Sequence, residues 1–270
     1  MSSLILGNKI QIHTSEQGIP DLDKTKIVII GIPENRNSID YLGDELNLNE
    51  IRKSLYNLYP GNWSTEIADL GNLILGESVE QTYGRIISML SILFEKNIIP
   101  IIIGGSHDLL YANYRAYDSF KSTVNIVNID SNFDIGDSAK PINNLSYLGK
   151  IILDEPHNLF NYSNLGYQTY HNSQEEIDLM ENLYFESYRL GEVCSNIRLS
   201  EPVMRDADIV SIDLKSVRAS ELSSRQKFSP NGFDGKEICS LSRYAGISNK
   251  VSSFGIYEYK PSSDDEATTM

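Results

Sequence analysis

Ile98-Ile-Pro-Ile-Ile-Ile-Gly-Gly-Ser-His-Asp108 begins as an unbroken apolar run and ends in a turn that carries an imidazole and a carboxylate. Short β-branched runs of this kind suit strands buried on both faces of a parallel sheet. Pro100 is unusual for a central strand, because it lacks the N–H that a ladder uses. Just upstream, Val79–Glu95 carries Ile86, Ile87, Leu90 and Leu93 on one side, the pattern of an amphipathic helix. A strand, a Gly-Gly turn and a helix running to Tyr117 therefore follow a helix, which is the rhythm of an α/β chain.

That rhythm continues in both directions. Strands are expected at 26–32, 67–71, 124–129, 150–153, 207–213 and 251–257, and helices at 49–59, 177–190, 202–206 and 235–245. Alternation of this sort predicts an α/β class with a mostly parallel sheet. With 270 residues, 40% of them hydrophobic, the chain can bury the core of one large domain or two small ones. Ser263-Asp-Asp-Glu266 has a capping residue and an acidic first turn, so a C-terminal helix is expected to begin there and to be cut short at Met270. Glu181-Asn-Leu-Tyr-Phe-Glu186 resembles a protease tag, but it runs into Ser187-Tyr-Arg-Leu-Gly191 without a change of character and reads as native.

The net charge of −14 would repel a nucleic-acid backbone, so no nucleic-acid partner is expected. Cys194 and Cys239 form no CxxC or close pair, which predicts neither a disulfide framework nor a zinc site and suits a cytoplasmic protein. Residues 1–11 lack a secretory signal, and the apolar runs are too short to span a bilayer, so no membrane partner is expected.

Ligands of open parallel sheets bind beyond the carboxyl ends of the strands. There the chain places His107, then Asp130, Asn132 and Asp134, then Asp213 and Lys215, and finally Glu258. If the backbone stays extended, alternate residues share a face, so Asp130, Asn132 and Asp134 would point together, as would Asp213 and Lys215. An Asp after a strand is ordinarily a cap or turn former, and a lone His after Gly-Gly-Ser is ordinarily a hydrogen-bonded loop residue. The group at matching strand ends is what argues for a site. Carboxylates ~4 Å apart at an effective dielectric of ~20 repel by roughly 4 kcal/mol per pair. A divalent ion, the Lys215 ammonium, or both must supply the counter-charge.

These residues resemble the motifs of the ureohydrolase superfamily of arginases, agmatinases and formimidoylglutamases. Gly104-Gly105-Ser106-His107 is similar to its Gly-Gly-Asp-His. Asp130-Ser-Asn-Phe-Asp134 is similar to Asp-Ala-His-x-Asp with the histidine replaced. Ser211-Ile-Asp213-Leu-Lys215 is similar to Ser-x-Asp-x-Asp with the last aspartate replaced, and Glu258-Tyr-Lys-Pro261 to Glu-Val-Asn-Pro. Ser229-Pro-Asn-Gly-Phe233 and Arg243-Tyr-Ala-Gly246 resemble the Bacteroidetes-type formimidoylglutamases. The resemblance implies one arginase-like domain over 1–270, a three-layer α/β/α fold, and a tendency to form homo-oligomers. In that family two manganese ions together activate the attacking water. Carried over position by position, the first ion falls to His107, Asp130, Asp134 and Asp213. The second would need the positions that Asn132 and Lys215 hold here. An ammonium repels a divalent ion by roughly 8 kcal/mol at ~4 Å and a dielectric of ~20, so one Mn2+, or none, is expected.

The resemblance implies a hydrolase of C–N bonds in linear amidines, turning N-formimidoyl-L-glutamate into L-glutamate and formamide in histidine catabolism. Glu258, Asp213 and Lys215 would be its catalytic residues. Glu258, Arg218 and Asn132 would meet the small-molecule amidine substrate, with Arg225 as a further cation for substrate carboxylates. No matching motif assigns a proton-transfer role to His157 or His171. The alternative is a catalytically silent arginase-fold protein that binds or assembles, in keeping with two changed ligands and 16 tyrosines. A nucleotide binder with Gly104-Gly105 as phosphate loop is disfavoured, since neither GxGxxG nor a Walker pattern is present.

Overall fold

The apolar runs pair side by side and in one direction. The computed structural model describes residues 5–16, 18–39, 46–120, 123–137, 139–222 and 229–259. Its strands are β1 (Gln11–Ile12), β2 (Ile27–Ile32), β3 (Ile67–Asn72), β4 (Ile99–Gly104), β5 (Val124–Ile129), β6 (Leu159–Tyr167), β7 (Glu186–Arg189), β8 (Ile209–Asp213) and β9 (Ser253–Tyr257). They form one sheet of order β1-β3-β2-β4-β9-β8-β5-β6-β7, parallel at every described pairing. Pro100 is tolerated because the β4–β9 ladder starts one residue later, at Ile101 and Phe254.

The helices are α1 (Asn49–Tyr56), α2 (Val79–Glu95), α3 (Leu109–Arg115), α4 (Tyr147–Leu153), α5 (Gln174–Asn182), α6 (Leu190–Ser195), α7 (Ser200–Arg205) and α8 (Gly235–Ile247). Ser78 caps α2 by accepting from the Gln81 N–H. Capping boxes open α5 (Ser173 with Glu176) and α8 (Asp234 with Glu237). The strands alternate between the helical layers. Val28, Ile30, Ile102 and Ile126 face α2, α3 and α4. Val127, Ile129, Val210 and Ile212 face α6, α7 and α8, while Ile29 and Ile103 pack with Ile51 of α1. This is the three-layer α/β/α architecture expected.

Two expected elements differ. Residues 150–153, read as a strand, belong to helix α4, because Tyr147, Leu148 and Ile151 bury one helical face. The strand of that region is β6, whose polar run hid it: Tyr162, Ser163, Asn164 and Leu165 are all buried. The helix expected over 177–190 stops at Asn182; Tyr184 takes a left-handed φ of 57° and the chain turns into β7. The helix expected from Ser263 lies outside the described residues, as do Pro261 and Arg225.

Candidate metal centre

Four neighbouring strands in the middle of the sheet, β4-β9-β8-β5, deliver the polar residues to one edge. His107 follows β4, Asp130 follows β5, Asp213 ends β8 and Glu258 follows β9. The loop after β4 can be this tight because Gly105 lies against backbone: a Cβ there would sit 2.2 Å from the Glu34 carbonyl oxygen. Ser106 N–H donates to that same oxygen at 2.9 Å.

His107, Asp130, Asp134 and Asp213 each offer a ligand atom, and these atoms lie within 4.8 Å of one another. All four residues are buried. His107 Nδ1 stands 3.2 Å from Asp213 Oδ2, 3.3 Å from Asp130 Oδ2 and 3.7 Å from Asp134 Oδ2. The other ring nitrogen, Nε2, is 2.7 Å from Ser211 Oγ and 3.4 Å from the Tyr147 hydroxyl. Tyr257 stacks on the ring with centroids 5.1 Å apart.

The convergence of Asp130 and Asp134 does not come from extended backbone. Asp130 Oδ1 accepts the Asn132 N–H at 3.0 Å, closing a turn directly after β5, and Asp134 adopts a φ of 55°. Asn132 is thereby turned away. It is half-buried, donates to the His171 carbonyl at 3.3 Å and accepts from Ser131 Oγ at 2.9 Å. The expectation that all three side chains share one face is corrected on this point.

Asp213 Oδ1 accepts the Lys215 N–H at 2.6 Å, within a 3-10 turn that directs the lysine side chain to Glu258: Nζ to Oε2 is 3.0 Å. Glu258 has a φ of 62°, its N–H donates to Gly105 O at 2.6 Å, and its Oε1 accepts from His107 N–H (3.0 Å) and Asn144 Nδ2 (3.1 Å). Arg218 is occupied elsewhere: its guanidinium pairs with Asp234 at 2.6 Å and lies 3.7 Å from Glu221, at the start of α8. His157 and His171 are exposed.

Burial alone would depress the His107 imidazole, but its bonds to Asp130 and Asp213 and their charges lift it to about 10. Burial, then the charge of Asp130, pushes Asp134 well above the carboxylate range. Burial also works against the Lys215 ammonium, yet Asp213 and Glu258 outweigh it and raise its pKa. Beside this group, Asp108 accepts from Ser106 and Tyr83, and burial still holds its carboxyl up at about 6.

The donor set fits a divalent cation. Among the described residues neither carboxylate oxygen of Asp134 has a hydrogen-bond donor, although both are buried. Buried anions are ordinarily paired, and three carboxylates with one imidazole suit manganese. Ser211, Tyr147, Tyr257 and Asn144 were not singled out from the sequence as partners of the site. Ser211 lay within a quoted motif; the others carried no local signal.

The model of the arginase family matches residues 25–270. A formimidoylglutamase of Lysinibacillus sphaericus is 22% identical over 237 residues, covering 82% of this chain and 72% of its own. One of Geobacillus sp. is 27% identical over 239 residues, covering 82% and 71%. Among solved structures, Trypanosoma cruzi formiminoglutamase with Mn2+ superposes with a TM-score of 0.80 at 17% identity, covering 89% of this chain and 87% of its own. Formimidoylglutamase of Bacillus subtilis does so at 0.82 and 19%, covering 97% and 86%. Among the described residues no helix is long and apolar enough to cross a membrane.

Proposed function

Because the chain belongs to the arginase family, we propose that it is a metal-dependent hydrolase of C–N bonds in linear amidines. Within that class we assign it the formimidoylglutamase reaction, N-formimidoyl-L-glutamate to L-glutamate and formamide, with one ion in place of two. The observation that carries the reading is the buried set of His107, Asp130, Asp134 and Asp213, in which Asp134 has no hydrogen-bond donor among the described residues. The relatives named above, formimidoylglutamases at low identity, support the substrate class.

These four residues would hold one Mn2+, which would supply the Lewis acidity that makes water nucleophilic near neutral pH. Lys215 contributes the positive charge that a second ion would otherwise bring, and Asn132, turned to the His171 carbonyl, offers that ion no imidazole. Glu258, fixed by two donors on Oε1, orients the amidinium through Oε2. Arg218 has spent its charge on Asp234, so recognition of a substrate carboxylate falls to Lys215.

The direct test is formamide release from N-formimidoyl-L-glutamate with added Mn2+, against an Asp213→Ala control. Turnover at the level of the control overturns the reading. It would favour the catalytically silent alternative, for which the Lys215–Glu258 pair in the substrate's path speaks.

A further inference from the structure

Of the ionisable side chains gathered here, His107, Asp130, Asp134, Asp213 and Glu258 are at most 2% exposed, whereas Lys215 keeps 24% of its side-chain surface. The lysine therefore lies on the solvent side of the cluster, with its ammonium 3.0 Å from Glu258 Oε2. The carboxylate it meets cannot readily swing away. Oε1 is held by the His107 N–H and by Asn144, whose own Oδ1 accepts the Ile39 N–H at 3.0 Å. The backbone of Glu258 is pinned to Gly105. An organic cation approaching Oε2 must displace the ammonium first.

Displacement has a defined cost. Removing one partner of a largely buried ion pair leaves the other charge uncompensated, which is strongly unfavourable. A ligand that brings a cation alone exchanges one pair for another and leaves Lys215 without its Glu258 partner. A ligand whose anion lies within a lysine's reach of its cation converts one ion pair into two. On the reading above, we propose that Lys215 is the specificity-determining residue of this site. It holds the cation seat on Glu258 and yields it to zwitterionic amidines, whose carboxylate it then takes. Plain cationic amidines and guanidines are turned away by the same residue.

The test is equilibrium binding, so it does not depend on turnover. Methylguanidinium and guanidinoacetate share a cation and differ by a carboxylate. Each is titrated calorimetrically into the Mn2+-loaded full chain as wild type, Lys215→Met and Lys215→Gln, the second variant keeping a polar side chain of similar length. Wild type is expected to favour guanidinoacetate by about a hundredfold, in line with the cost of an unpaired buried charge. Both variants should lose most of that preference, with methylguanidinium gaining affinity, and adding Glu258→Gln should remove the gain. Equal preference in wild type and variants, or no gain for methylguanidinium, overturns the proposal. Binding as expected with no hydrolysis of any amidine would sink the proposed activity and leave the role of Lys215 standing.

Discussion

The hydroxyl oxygen of Ser211 stands 2.7 Å from Nε2 of His107, while Nδ1 of the same ring faces Asp213 at 3.2 Å. An ion at the site would replace the Nδ1 proton, and the neutral ring, donating Nε2–H to Ser211, would keep its Nδ1 lone pair turned toward the carboxylates. Ser211→Ala should therefore weaken Mn2+ binding by about tenfold or more. Competition with a chelator of known affinity measures this, and an unchanged constant would remove the orienting role from Ser211.

Asp134 supplies the second prediction. Mn2+ at about 100 times its dissociation constant should stabilise the fold by about 2.7 kcal/mol, a rise in melting temperature on the order of 5 °C or more. Asp134→Asn should largely abolish the rise, since a neutral amide replaces the carboxylate that lacks a donor. An equal Mn2+-dependent shift in the variant would place the ion somewhere else.

The ion count is open to a gain-of-site experiment. Asn132→His combined with Lys215→Asp restores the two family ligands and removes the ammonium beside Glu258. Elemental analysis at Mn2+ saturation should then rise from one ion per chain to two. Two ions already bound to the wild type would defeat the single-ion reading.

Away from the site, Glu34 is a buried carboxylate that receives both Arg36 (2.5 Å) and the Thr82 hydroxyl (3.0 Å). Burial raises its pKa, but the bonds and charge of Arg36 outweigh burial and hold it below the usual 4.5. A depressed folded pKa stabilises above the unfolded value and is lost as pH falls through the folded one. Glu34→Gln should cost about 2 kcal/mol at pH 7, discounted for the partial exposure of Arg36. The gap from wild type in urea unfolding should narrow as pH drops below about 4.5. A gap that stays constant down to pH 3 would show that the ion pair contributes nothing.

How much of this was legible depended on whether the residue type itself was constrained. The four candidate ligands stood out because an ion accepts few donors, and the strand ends that present them are apolar enough to be read. β6 was invisible because its buried polar groups find partners no local pattern reveals: Ser163 donates to Glu186 at 2.9 Å and Asn164 to the Asn132 carbonyl at 2.9 Å. Asp134 was reached by a faulty route, since a side-chain-closed turn and a left-handed residue, not an extended strand, bring it to Asp130. The Lys215 ammonium was expected as a counter-charge to the carboxylates. Its ion pair is with Glu258, because β8 and β9 are neighbours in register, Asp213 beside Tyr257. Cross-strand adjacency of that kind is a property of topology.

The strand order also dictates when the pocket can exist. β4 and β5 are separated by β9 and β8, which follow both of them in sequence. Without residues 209–257, the His107 end of β4 and the Asp130 end of β5 have no strand pairing to join them. They are joined once residues 209–257 slot between them, and the contact from His107 to Glu258 joins positions 151 apart. Until then two unpaired edges are open to chaperones or to misassembly. Any ion held by His107, Asp130, Asp134 and Asp213 would therefore be acquired only by a chain whose central strands have already been threaded into place.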